Sequence, residues 1–147
     1  MLVYTKKVVL LSKYSNMLSK EEHIKYWKDT AETDWKVAGD TFDASNYMHA
    51  LFWAHLVLEK LAKAHWVRTH QENFPPKVHN IVWLLEQSDM DLGEETKLFL
   101  NRLNDFQLSG RYPDYVNRIY SRCTKQYTCE QLEKVKEVRT CLLKMLQ

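Results

Sequence analysis

The groups that could do chemistry in this sequence are six histidines, a Glu-Lys pair on a long apolar segment, and a late turn rich in arginine and tyrosine. Metal binding is the first use to test. Two ligands on one helix must lie three or four residues apart to share a side. Here His49 and His55 are six apart, His65 and His70 five apart, and no His-Glu-x-x-His occurs, so no metal is expected. His55, Glu59 and Lys63 follow at steps of four and share one helical stripe. The expectation for them is a solvated or paired surface group, with Glu59 and Lys63 exchanging roughly a few tenths of a kcal/mol.

Nucleophilic catalysis has no better support: there is no Gly-x-Ser-x-Gly elbow, and Cys123, Cys129 and Cys141 have no histidine nearby in sequence. Glycines stand only at 39, 93 and 110, too scattered for a phosphate-cradling loop. A nucleotide would therefore be held by side chains or helix ends, and no cofactor is expected. Phosphate recognition uses Lys or Arg and base recognition uses a flat ring. Lys60 and Lys63 lie near Trp53, while Arg111, Tyr112 and Tyr115 precede Arg118 and Arg122. These residues are candidates for a polyphosphate or RNA site. The plainer reading makes the rings core or interface and the arginines solvated.

Helices must position these groups. Trp27, Ala31, Trp35, Ala38 and Phe42 recur at helical spacing and predict a first helix over about 22–41. Asp43 or Ser45 is expected to cap a second helix running to about His70. Its apolar residues occupy two sides: Tyr47, Ala50, Leu51, Ala54, Val57, Leu58, Leu61 and Ala64 form one stripe, and Phe52, Leu56 and Val67 project from the other. Such a helix is the centre of a bundle or also forms a partner interface, and a homodimer contact is the favoured expectation. Pro75-Pro76 ends the pattern. Lys77–Asn80 opens a short helix through Ile81, Leu84 and Leu85, and a fourth follows from about Asp91 to Phe106. A capping box of Thr128 with Gln131 is expected to start the last. The fold class read from these periods is all-α, an up-and-down antiparallel bundle of about five helices, with 1–21 an unassigned arm and 22–147 the bundle domain.

Composition agrees. With 147 residues and 45% hydrophobic content the chain can build a single core without staples, and 3 Gly and 3 Pro are too few for a turn-rich β-fold. A net charge of +2 excludes the broad basic footprint of a histone-like protein. Three cysteines without a Cys-x-x-Cys suit a reduced, cytoplasmic setting, and the apolar run Val8–Leu11 is too short for a signal core or membrane span.

Three segments in order carry a family resemblance. Helix two, from Tyr47-Met48-His49-Ala50 to Leu58-Glu59-Lys60-Leu61-Ala62-Lys63-Ala64, resembles the long helix of the HEPN domain (higher eukaryotes and prokaryotes nucleotide-binding). Pro75-Pro76-Lys77-Val78-His79-Asn80-Ile81 is similar to that family's Pro-then-His helix entry, and Arg111-Tyr112-Pro113-Asp114 to its Arg-Tyr-Pro-Asp turn. The resemblance spans about 24–146. It implies an all-α bundle that usually dimerises, is often paired with a minimal nucleotidyltransferase, and occurs in toxin–antitoxin systems. It marks Lys60, Lys63, His79, Arg111, Tyr112 and Asp114 as nucleotide- or phosphate-binding candidates. Many members are metal-independent RNases that use an Arg followed four to six residues later by a His. Here five of six arginines (102, 111, 118, 122 and 139) follow the last histidine, and Arg68 stands two residues before His70 and eleven before His79. That branch lacks its proton-transfer pair, so no catalytic residue is assigned. The resemblance implies a nucleotide- or RNA-associated binding module. The alternatives are a homodimeric interaction protein without a ligand, or a divergent RNase that brings His79 to Arg111.

Overall fold

The computed structural model describes residues 18–109 and 121–147, which form five helices: α1 Lys20–Asp43, α2 Tyr47–Thr69, α3 Ile81–Glu86, α4 Glu94–Ser109 and α5 Lys125–Met145. The expected all-α bundle is what the chain forms. Arg111, Tyr112 and Asp114 lie outside the described residues, as do residues 1–17 of the N-terminal arm.

Local chemistry sets the helix ends. Ser19 and Glu22 form a capping box: the Ser19 hydroxyl accepts from the Glu22 amide at 3.1 Å, and the Glu22 carboxylate accepts from the Ser19 amide at 2.8 Å. α1 therefore begins at Lys20 instead of about residue 22. Neither Asp43 nor Ser45 caps α2. Ser45 has φ 64°, and the Ser45 and Asn46 amides donate to the carbonyls of Phe42 and Thr41. Ser45 is thus the left-handed residue of a Schellman closure of α1. The last helix starts one turn before the expected cap, because Thr124 accepts from the Tyr127 amide at 3.1 Å. Thr128 is fully buried inside α5 and caps nothing.

α2 is the hub, in contact with each of the other four helices. Leu51, Val57, Leu58, Leu61 and Val67 are fully buried or within 1% of it, and Ile81, Leu84, Leu85, Leu100, Leu103, Val135 and Leu142 close around them. Of the second side of α2, the chain's own helices bury Val67, while Phe52 and Leu56 remain only half-buried. α1 runs antiparallel to α2, since the Lys20 ammonium donates to the carbonyls of Val67 and His70 at 2.7 and 2.6 Å. α5 runs parallel to α2: His65 bonds the Leu142 carbonyl at 2.9 Å, and Arg68 bonds that of Met145. α2 and α5, which are in direct contact, therefore run in the same direction.

Candidate functional site

The stripe of His55, Glu59 and Lys63 is not on the surface. Their exposures are 0%, 4% and 8%, which overturns the expected surface position, although Glu59 and Lys63 do pair. A carboxylate this buried must be paired, because an isolated charge loses its hydration without compensation. Two groups meet it. Lys63 Nζ donates to Glu59 Oε1 at 2.8 Å, and His79 Nδ1 stands 3.2 Å from both carboxylate oxygens. A carboxylate only accepts, so the proton of neutral His79 sits on Nδ1 and the other ring nitrogen is left as an acceptor. The His79 side chain is 42% exposed, against 5% for that of Glu59. One buried anion thus holds a buried ammonium on one side and a solvent-reaching imidazole on the other.

His55 sets the frame on which His79 rests. Its Nε2 faces two acceptors, the His79 carbonyl and Asn104 Oδ1, each at 3.1 Å, so Nε2 carries the proton. Asn104 Oδ1 also accepts from the Ile81 amide at 3.2 Å, and Asn104 Nδ2 donates to Asn80 Oδ1 at 3.1 Å. Asn80 Oδ1 in turn accepts from the Trp83 amide at 3.1 Å and caps α3. This chain of bonds ties α2, the 79–81 segment and α4 together, and so fixes where the His79 ring leaves the backbone. His55 Nδ1 is buried without a hydrogen-bond partner, 3.7 Å from Glu59 Oε2. Burial holds the His55 pKa below its ordinary value, and the nearby Glu59 charge offsets this only in part.

α1 supplies the opposite wall. Lys63 Nζ lies 5.4 Å from the Trp27 ring centre, within cation–π range. Lys60, one residue from Glu59, is committed elsewhere: its ammonium is 2.5 Å from Asp34 Oδ2, and the side chains are 24% and 8% exposed. Of the described candidates, the structure brings Lys63 and His79 together on Glu59 and pairs Lys60 with α1. Sequence reasoning did not assign Glu59 the role of anchor, and it missed Asn104, Asn80 and Trp27 as supports. Among the described residues, no three His, Cys, Asp or Glu side chains are grouped to hold a metal ion. No helix there is long and apolar enough to cross a membrane.

Fold and site together define an all-α bundle domain with a buried polar cluster on its central helix. The chain belongs to the HEPN family: the model of the HEPN domain matches residues 24–146. It is accordingly a nucleotide- or RNA-associated module, of a kind that often dimerises. No curated protein and no solved structure matches the chain.

Proposed function

We propose that this chain is a nucleotide- or RNA-binding module whose phosphate-facing pole is built from Glu59, Lys63 and His79, and that it is not itself a nuclease. The observation that carries this is the convergence of Lys63 and His79 on one buried carboxylate, with only the imidazole reaching solvent. Glu59 neutralises Lys63, so protonation of His79 gives the cluster a net charge of +1 at its exposed end. In that form the second ring nitrogen is a charge-assisted donor for a phosphate. Arg111, with Tyr112 and Asp114, joins this pole by the family resemblance alone. Homodimerisation, a minimal nucleotidyltransferase partner and a toxin–antitoxin setting belong to the same proposal and rest on family membership.

Calorimetric titration with nucleoside mono- and triphosphates tests it. Wild type is expected to bind, His79→Gln to bind at least tenfold more weakly, and Lys60→Ala to bind as wild type while folded. Equal binding by His79→Gln would overturn the assignment. One observation favours a second reading, catalysis of RNA cleavage: Glu59 orients His79 as a carboxylate orients a general base. Metal-free cleavage of RNA by wild type, lost in His79→Ala, would establish that reading in its place.

A further inference from the structure

Beside the charged cluster a row of rings runs from the core out to solvent: His23 is buried, Trp27 packs against the core, and Tyr26 and Phe74 stand outside it. His23, Tyr26 and Trp27 share one flank of α1, since residues three and four apart are helix neighbours. Phe74 meets His23 edge-on from the 70–80 segment at 5.2 Å, and Tyr26 meets Trp27 edge-on at 5.3 Å. Tyr26 is 55% exposed and Phe74 49%. Exposed rings on a folded domain forfeit the stabilisation that burial would give them. The row is also joined to the phosphate pole: Trp27 carries Lys63 against its face, Lys63 binds Glu59, and Phe74 stands five residues before His79 on the same segment. Lys77, between Phe74 and His79, is exposed.

We infer that Tyr26 and Phe74 form a stacking platform for an unpaired nucleobase whose phosphate reaches His79. The ligand is then a nucleoside phosphate unit, recognised by its flat base as well as its charge. The inference rests on the function proposed above and deepens it. Charge alone does not call for rings, since a bare phosphate needs only cations. Rings flanking a cationic pole fit a base joined to a phosphate, and stacking tolerates any base because every base has a π-face. A duplex, whose bases are already stacked, gains nothing from the platform.

The test compares three probes by equilibrium binding: an oligouridylate of about six nucleotides, within the usual size of a single-strand site, an abasic ribose-phosphate of equal length, and uridine monophosphate. The oligouridylate is expected to bind at least about fivefold more tightly than the abasic chain, the lower limit for one stacked base. Tyr26→Ala and Phe74→Leu should each erase most of that ratio and leave abasic binding unchanged. Leu98→Ala, at an exposed site on α4, should leave the ratio intact. Unchanged melting temperatures in the two ring variants exclude loss of fold. Binding of the monophosphate that Tyr26→Ala and Phe74→Leu weaken assigns the platform to free nucleotides, and a weakening confined to the oligomer assigns it to RNA. Equal binding of base-bearing and abasic chains overturns the platform while the phosphate pole stands. Absence of binding to all three probes overturns both.

Discussion

Glu59→Gln tests the burial of the charged cluster. In the structure the Glu59 side chain is 5% exposed and that of Lys63 10%, with 2.8 Å between Oε1 and Nζ. Removing one partner of a buried pair costs about 3–5 kcal/mol, because the other charge is left desolvated. Glutamine returns one acceptor to Lys63, worth about 1 kcal/mol, and the Trp27 face remains beneath the ammonium. The expected loss is about 2–4 kcal/mol. At about 2–4 °C per kcal/mol for a domain of this size, the melting temperature falls by about 4–16 °C. Urea denaturation of Glu59→Gln, Lys63→Met and the double variant completes a thermodynamic cycle. The double variant should cost less than the two singles together by at least about 1 kcal/mol, since neither charge is then stranded. A surface pair four residues apart on a helix is worth only about 0.3–0.5 kcal/mol. If Glu59→Gln costs no more than that and the cycle is additive, the cluster is solvated and the reasoning fails.

Three further outcomes follow from the geometry. Lys60→Ala strands Asp34, whose side chain is 8% exposed, and should cost about 1–3 kcal/mol in urea denaturation without weakening phosphate binding. Ser45→Gly relieves a left-handed residue at φ 64° and should raise stability by about 0.5–1 kcal/mol, read from the urea midpoint. His55 and His65 are both held below the ordinary 6.5, chiefly by burial, so the unfolded chain binds the extra protons. Stability should be full above pH 6.5 and fall as pH drops from there toward their folded values. The slope is at most about 1.4 kcal/mol per pH unit for each histidine, measured by denaturation at pH 7.5 and below pH 6.

Much of the fold was legible because apolar period and helix breakers are local signals. The recurrence from Trp27 to Phe42 and the break at Pro75-Pro76 placed α1, α2 and the segment that carries His79. Caps were harder. Ser19-x-x-Glu22 was as readable as any capping box but sat in a mixed segment, while Thr128 offered an equally good pattern one turn inside α5. The pattern alone does not say which threonine faces inward. The site was legible in its members and not in its burial. Treating the polar stripe of His55, Glu59 and Lys63 as a surface face was the natural reading of steps of four. Yet α2 is apolar on two sides, and a helix surrounded by four neighbours leaves little of its circumference to water. The Asn104–Asn80 bond joins residues 24 apart in sequence, and the Trp27–Lys63 contact joins residues on different helices, so no local pattern could announce either.

The central claim is that the pole at Glu59, Lys63 and His79 holds a nucleotide phosphate. The most direct measurement is the melting temperature of the purified protein against a nucleotide panel and short single-stranded RNA, in wild type and His79→Gln. A ligand that binds only the folded state adds about 2.7 kcal/mol at a hundredfold excess over its Kd, which raises the melting temperature by about 5–10 °C. The account predicts such a rise in wild type and its loss in His79→Gln. No rise with any ligand, or the same rise in both proteins, would contradict it.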